Sequence, residues 1–168
     1  MFSGCSSLEE LNFPSGFDTS NVRKMEKMFY GCTSLKKINL SFWNTENLEN
    51  SSYMFSGCKA LKDINLSSFK TTNVKNMCNM FSECSSLQML NLSSFTSDNL
   101  QNISNMFSGC ISLKEIDLSS FNIKTTKYCC CSIQDINMQN IFENVPSSCK
   151  LITENDILKD KLNKCFIF

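Results

Sequence analysis

Residues 69–92 read FKTTNVKNMCNMFSECSSLQMLNL, and variants of this stretch fill most of the chain. The dipeptide Met-Phe recurs every 26 residues, at positions 28, 54, 80 and 106, and an opening Met-Phe stands 27 residues before the first of these. A unit of this length cannot enclose a hydrophobic core by itself. Its apolar face has to pack against neighbouring units, and about three units are needed for stability. The sequence therefore predicts a repeat solenoid.

The second half of each unit predicts a β-strand. Leu90 and Leu92 are placed to face inward while Asn91 between them faces outward, which is the period of two of a strand. The same phrase, Leu-x-x-Leu-x-Leu or a close variant, begins at Leu8, Leu35, Leu61, Leu87, Leu113 and Ile133. The strands of successive units are expected to pair as a parallel sheet with about 4.8 Å between neighbours.

The first half of each unit predicts a short amphipathic helix, because the apolar positions 74, 77, 80, 81 and 84 fall at helical spacing. Thr71, Thr72 or Asn73 is expected to cap this helix, and Thr19, Thr45 and Ser97 share the column of Thr71. The helix is expected to end in a left-handed residue at a column formed by Gly4, Gly31, Gly57 and Gly109, which Glu83 interrupts. The predicted fold class is an α/β repeat solenoid: a leucine-rich-repeat-like stack with a parallel β-sheet on one face and short helices on the other.

The repeated phrase also resembles a known family. Met-Phe-x-Gly-Cys-x-Ser-Leu-x-x-Ile-x-Leu, followed by a Phe and a Thr, is similar to the BspA-like leucine-rich repeats, over residues 1 to 138. This resemblance implies a cell-surface or secreted protein that acts as an adhesin or binding scaffold, and it carries over no catalytic residue. The chain departs from the pattern at Ser51, Ala60 and Trp43, and its sixth unit reads as shortened.

Two regions are predicted on this basis. Residues 1–138 are predicted to form the solenoid, with five 26-residue turns and one shortened turn, and residues 139–168 a C-terminal cap. Within the cap, the apolar positions 157, 158 and 162 predict a short helix over residues 156–162, capped by Thr153 or Asn155.

Composition excludes several function classes. The sixteen basic and sixteen acidic residues cancel, which removes the basic surface expected of a nucleic-acid binder, and no apolar run is long enough for a transmembrane segment. The chain has no histidine, so the usual general base and the Ser-His and Cys-His nucleophile pairs are absent. Acids on the strands could in principle pair as acid and base, or simply keep that face soluble: Asp63, Glu115, Asp117 and Asp135. We predict a non-enzymatic protein without a cofactor.

Two columns read as core rather than as sites. Phe17, Trp43, Phe69, Phe95 and Phe121 recur at fixed register and predict an aromatic spine. A cysteine column precedes the strand phrase and predicts small, buried, reduced side chains, with disulfides between neighbouring turns as the alternative: Cys5, Cys32, Cys58, Cys84 and Cys110.

The other cysteines leave their chemistry open. Cys129, Cys130 and Cys131 lie off the repeat pattern, with Cys149 and Cys165 downstream. Zinc binding, disulfides or redox-sensitive thiols, and incidental packing are alternatives for them. We assign no metal site, because the chain has neither a histidine nor a Cys-x-x-Cys pair.

The predicted binding surface is the outward face of the strands. One outward row runs through Glu10, Lys37, Asp63, Met89, Glu115 and Asp135, and the next runs through Asn12, Asn39, Asn65, Asn91, Asp117 and Asn137. The asparagine row is expected to hydrogen-bond along itself as a structural ladder, or to contribute to binding with the mixed-charge row beside it. The predicted binding residues are Lys37, Asn39, Asp63, Asn65, Met89, Asn91, Glu115 and Asp117.

Three function hypotheses follow. The first is a non-enzymatic scaffold, at the cell surface or secreted as the resemblance implies, that binds a protein or a glycan. The second is a cytoplasmic protein interaction module, suggested by the free thiols and by a start without a signal peptide. The third and weakest is a thiol-based redox or metal-binding protein.

The start of the chain carries its own expectation. The sequence begins inside a repeat and reads as the tail of a longer protein, or else as a short protein with one exposed end. The first turn has apolar positions at Phe2, Leu8, Leu11, Phe13 and Phe17. We expect it either to self-associate or to fray before about residue 20, whereas the C-terminal cap closes the other end.

Overall fold

The computed structural model describes residues 1–123 and 136–165. Its elements are five short strands and one helix: β1 Glu10–Asn12, β2 Lys37–Asn39, β3 Met89–Asn91, β4 Glu115–Asp117, β5 Lys150–Ile152 and α1 Asp156–Lys164. The strand pairs are all parallel, in a two-stranded sheet β1-β2 and a three-stranded sheet β3-β4-β5. The leucine-rich-repeat-like stack is confirmed, and we call each repeat unit of it a coil.

The strands form where the sequence alternates. Leu11 pairs with Ile38, and Leu90 with Ile116, so the inward residues of successive coils meet in register. On the far side of each coil a second, narrower ladder of parallel bridges joins Lys24, Asn50, Asn76, Asn102 and Asn137. Coils whose strands pair are therefore tied to their neighbours on two sides.

The predicted helix over the first half of the repeat is wrong. Residues 78–83 form consecutive turns, and the left-handed φ angles of Asn79 (56°) and Glu83 (60°) break any helix there. The amides of Met77 and Phe81 donate to carbonyls of the next coil, Asn102 and Met106, at 2.9 and 3.0 Å, instead of within a helix.

The burial pattern that suggested a helix is nevertheless real. Val74, Met77, Met80, Phe81 and Cys84 are all buried. Alternate amides of the turns donate to the residue three positions earlier, as from Met80 to Met77 at 3.2 Å, so the chain turns almost as tightly as a helix. Spacings of three and four residues arise in both geometries, and the apolar pattern alone does not separate them.

The threonine column links coils instead of capping helices. The Thr71 hydroxyl donates to the Thr96 carbonyl (3.2 Å) and accepts from the Thr96 amide (2.8 Å), and Thr19 and Thr45 do the same with Asn44 and Lys70. A neighbouring asparagine ladder, Asn47, Asn73 and Asn99, donates side-chain N–H groups to carbonyls one coil back.

Two aromatic stacks run through the core. The column predicted from sequence includes nearly parallel rings, with centroids of Trp43 and Phe69, and of Phe69 and Phe95, 6.2 Å apart. A second stack is formed by the phenylalanines of the Met-Phe pairs and by Phe142, which follows Ile141, with centroids 5.4–6.2 Å apart: Phe2, Phe29, Phe55, Phe81, Phe107 and Phe142. These rings give the stack a continuous apolar centre.

The sixth unit has a different register from the one predicted. The phrase beginning at Ile133 predicts the sixth strand. Instead, Asn137 pairs with Asn102 in the narrow ladder, and β5 is the strand that pairs with β4. Asn137 lies 35 residues after Asn102 instead of the usual 26, so this unit is lengthened, not shortened. Strand pairing consequently extends to Ile152, beyond the predicted solenoid boundary at residue 138.

The C-terminal helix forms as predicted. Asn155 caps α1, accepting from the amides of Ile157 and Leu158, so Asn155 and not Thr153 supplies the cap. Leu158 and Leu162 are its buried residues. Over the described ranges, 1–123 and 136–165, no helix has the length and apolar character needed to cross a membrane.

Candidate functional site

The predicted binding residues lie on one outward face, although on different kinds of backbone. Lys37 and Asn39 belong to β2, Met89 and Asn91 to β3, and Glu115 and Asp117 to β4, whereas Asp63 and Asn65 lie on an irregular segment between β2 and β3. Register pairing places Met89 beside Glu115 and Asn91 beside Asp117. Met89 is 60% exposed in the middle of this otherwise polar face.

The sixth position of the charged row is taken by Lys150. Asp135, predicted there, lies outside the described residues, and the Lys150 ammonium contacts the Glu115 carboxylate at 3.0 Å. The row therefore reads Glu10, Lys37, Asp63, Met89, Glu115 and Lys150. Because the Lys150–Glu115 ion pair is solvent-exposed, it adds little to stability, and its side chains remain available to a partner.

The asparagine row does not hydrogen-bond along itself. The side-chain oxygen of Asn39 accepts from the amide and hydroxyl of Ser41 (3.1 and 2.8 Å), and Asn65 and Asn91 accept from Ser67 and Ser93 in the same way. These contacts fix the orientation of each amide, because they engage its oxygen. Within residues 1–123 and 136–165, no hydrogen bond uses the side-chain N–H₂ groups of these three asparagines. The face thus presents a row of oriented donors.

The strand face is split at the irregular segment. The backbone of Asp63–Asn65 makes no backbone hydrogen bond to β2 or β3 in the described structure, although Ile64 keeps its inward place in the core. A recess of about 510 Å³ lies between this segment and the coils of β1 and β2, and one of about 320 Å³ lies on the side of β3 and β4. Lys36 and Lys62 line the larger recess, and both were missed as candidate site residues although they share a column of the repeat.

Four of the five cysteines in the predicted column lie in the core, whereas Cys5, which was also predicted to be buried, is exposed in the first coil. Cys32, Cys58, Cys84 and Cys110 are fully buried, and each thiol donates to the carbonyl of a phenylalanine one coil earlier, at 3.1–3.2 Å. Burial raises the pKa of Cys58 and Cys110 to about 12 and that of Cys84 well above its ordinary value. Thiols held protonated in this way are poor nucleophiles.

The remaining cysteines are heterogeneous. Cys5 is exposed, and Cys149 is buried, which raises its pKa to about 11. Cys165 is half-buried, and burial raises its pKa too. The run Cys129–Cys131 lies outside the described residues, so the alternatives for it stay open.

Comparison with known proteins places the chain in a family. A family model described as "Mycoplasma protein of unknown function, DUF285" matches residues 1–121 and, in an overlapping second match, residues 62–157. The chain belongs to the DUF285 family. The two matches together cover the coils described above, including β5, but the DUF285 description names no activity or partner.

Two solved structures are similar to this DUF285 chain. One is a leucine-rich repeat protein from Bacteroides ovatus, 24% identical, with a TM-score of 0.45 over 90% of this chain and 41% of that one. The other is the leucine-rich repeat protein TpLRR of T. pallidum, 21% identical, with a TM-score of 0.44 over 98% of this chain and 73% of that one. The chain thus spans less than half of the length of the B. ovatus protein. No curated protein matches the chain.

Proposed function

We propose that this DUF285 chain is a non-enzymatic repeat scaffold of the cell surface, or a secreted one, that binds a protein or glycan through its strand face. The observation that supports this most directly is the arrangement of that face. Oriented amide donors and charges of both signs lie around one open recess, and the exposed apolar side chain of Met89 lines the second recess of the same face. Such a surface offers many directional contacts while its backbone is held rigid by the stack.

The surface location and adhesin role rest on the resemblance to BspA-like repeats. A cytoplasmic interaction module is the second candidate, and it would use the same face. A thiol-based function is less favoured, because the four buried members of the cysteine column are held protonated within hydrogen bonds to the backbone.

The test is adhesion of protein-coated fluorescent beads to cultured epithelial cells. The double variant Lys37→Glu/Met89→Ser should reduce bead retention roughly tenfold, which corresponds to about 1.4 kcal/mol. The matched control Lys75→Glu/Ile111→Ser makes the same exchanges elsewhere, and Ile111 is as exposed as Met89, at 60%. The control should retain binding.

Treating the cells with a protease or with a glycosidase then separates a protein receptor from a glycan. Retention no better than that of albumin-coated beads would contradict the adhesin role and favour the cytoplasmic module. Equal losses in both double variants would show that the strand face is not the binding surface.

A further inference from the structure

Three side chains on the turn side of the stack form a cluster that the repeat does not require. Lys27 and Tyr30 come from one coil and Tyr53 from the next, and we call them the tyrosine patch. The ring centroids of the two tyrosines lie 6.4 Å apart with planes crossing at 70°, and the Lys27 ammonium lies 5.5 Å from the centroid of Tyr53. Tyr30 is 44% exposed.

All three members depart from what the other coils have at the same positions. Where the patch has Tyr30, later coils have Ser56, Ser82 and Ser108. Where it has Lys27 and Tyr53, later coils have Asn79, Asn105 and Asn140. Because these three residues contact one another, their differences from the other coils form one local feature and are not distributed at random along the repeat.

Two of the departures are conformationally unfavourable. Lys27 and Tyr53 have φ angles of 54° and 58°, in the left-handed region that asparagine tolerates far better than lysine or tyrosine. The ladder between coils imposes this conformation, since the amide of Lys27 donates to the Ser52 carbonyl (3.0 Å) just as Asn79 donates to Ser104 (2.9 Å). The repeat's own asparagine would fit better at both positions, and residues that violate a local rule in this way concentrate at functional sites.

From this arrangement we infer that the tyrosine patch is a second interaction surface, which binds an acidic segment of a protein partner. This goes beyond the proposed function of the strand face and does not depend on it. Tyrosine supplies large contact area at low entropic cost and is enriched among the residues that dominate protein–protein binding. The Lys27 ammonium is exposed, and a partner carboxylate can pair with it.

The geometry favours a peptide side chain over a sugar ring. Rings that cross at 70° with centroids 6.4 Å apart pack edge to face and form no flat platform, and Lys27 already lies over the Tyr53 ring. A side chain of the partner can pack against the exposed Tyr30 ring while its neighbouring carboxylate meets the Lys27 ammonium.

The first experiment needs no partner. The double variant Lys27→Asn/Tyr53→Asn should unfold at a higher temperature than the parent, by about 2–4 °C or more, because it restores the residue of the other coils at both left-handed positions. A matched control, Asn79→Lys/Asn105→Tyr, introduces the same residues elsewhere and should lower the Tm. A fall in Tm for the first variant would show that the patch is structural, and would overturn the inference.

The second experiment identifies the ligand class. A random dodecapeptide display library is selected on the 168-residue protein, and the enriched peptides are synthesised and titrated by fluorescence anisotropy. We expect peptides that combine acidic and apolar residues, and at least tenfold weaker binding to Tyr30→Ser and Tyr53→Asn. Lys27→Asn should reduce the salt dependence of binding, and Met89→Ser on the strand face should have no effect.

Other outcomes contradict the inference. Peptides whose binding is lost in Met89→Ser and kept in the patch variants would place recognition on the strand face alone. Enrichment of basic peptides would refute the acidic partner. Tyr30-dependent binding on a glycan array, without any peptide that depends on the patch, would replace the protein partner by a carbohydrate.

Discussion

Replacing Glu83 by glycine should stabilise the protein. Glu83 stands where four other coils have a left-handed glycine, and its own φ is 60°. That conformation costs an L-residue roughly 1–2 kcal/mol. Glycine at the same position gives back about 0.4–1 kcal/mol through the greater freedom of the unfolded chain. The net expectation for Glu83→Gly is a gain of about 1 kcal/mol, which in a chain of this size is about 2–4 °C in Tm.

The side chain itself contributes little to offset this gain. Glu83 is exposed, and its carboxylate lies over Gly109, where an added Cβ would be only 2.5 Å from the carboxylate oxygen. The bond that ties this turn to the next coil, from the Glu83 amide to the Ser108 carbonyl at 2.8 Å, uses backbone only and survives the substitution. The gain is therefore a measure of backbone strain.

The assay is urea denaturation followed by far-UV circular dichroism, with the midpoint compared at constant slope. Glu83→Ala removes the side chain but keeps the strain, so it should not stabilise. Ser82→Gly, one residue earlier and without a left-handed φ, should destabilise by about 0.5–1 kcal/mol. A destabilised Glu83→Gly, or one no more stable than Glu83→Ala, would refute the strain argument.

Four further predictions concern the core and the first coil. Thiol reagents applied to the native protein should modify some of Cys129–Cys131 but spare the buried column, and rapid labelling of Cys32, Cys58, Cys84 and Cys110 would contradict its assignment to the core. Cys58→Ala should be mild and Cys58→Asp severe in thermal unfolding, because an unpaired buried charge costs far more than a lost sulfur. Because burial raises the Cys58 pKa from 9.0 to about 12, the unfolded chain loses this proton first as pH rises. Stability should therefore fall between those pH values by up to 1.4 kcal/mol per pH unit, and Cys58→Ala should reduce that slope. The first coil of the 168-residue chain should either associate with another copy or fray before about residue 20, and Leu11→Lys should abolish association in light scattering across a dilution series; a monomeric parent with an ordered first coil would contradict this.

The sequence predicted the periodic features of the fold well. The inward positions of the strands, the cysteine column and the aromatic column follow directly from a 26-residue period, because identical residues at a fixed interval have to face one another in a stack. Asn155 and α1 were also predictable, since capping depends on a few neighbouring residues.

The errors share a physical cause, which is that hydrogen bonds between coils replace those within a coil. The turn at residues 78–83 has helical apolar spacing, but its amides pair with the next coil. The prediction that Thr71, Thr72 or Asn73 caps a helix is wrong for the same reason, because the Thr71 hydroxyl and the Asn73 side-chain amide bond to neighbouring coils. The predicted register of the sixth unit is wrong because Asn137 lies in a phrase that fits the strand pattern as well as the narrow ladder. Only the pairing of Asn137 with Asn102 distinguishes these two positions.

The candidate site was predictable in part. Outward positions on the strands could be chosen from alternation, but the split at Asp63–Asn65 and the orientation of the amides depend on backbone pairing and on serine contacts two residues away. The residues of the tyrosine patch differ from the other coils already in the sequence, but their mutual contacts and left-handed φ angles are visible only in the structure.

The backbone hydrogen bonds between the turns of successive coils give this side of the stack an electric dipole. In four chains of these bonds, each peptide unit accepts from the coil before and donates to the coil after: the Asn76 carbonyl accepts from the Ser51 amide, and the Met77 amide donates to the Asn102 carbonyl. These four chains of hydrogen bonds run along the stack axis in the same direction, so their peptide dipoles are aligned as they are in an α-helix. Their dipoles add, with oxygens directed toward the first coil and N–H groups toward the last, and each bond polarises the next. A fifth chain, which includes the bonds from Lys75 to Glu49 and from Glu49 to Arg23, runs the other way and offsets part of this dipole. The net dipole makes the turn side more favourable for anions toward the C-terminal coils and for cations toward the N-terminal ones.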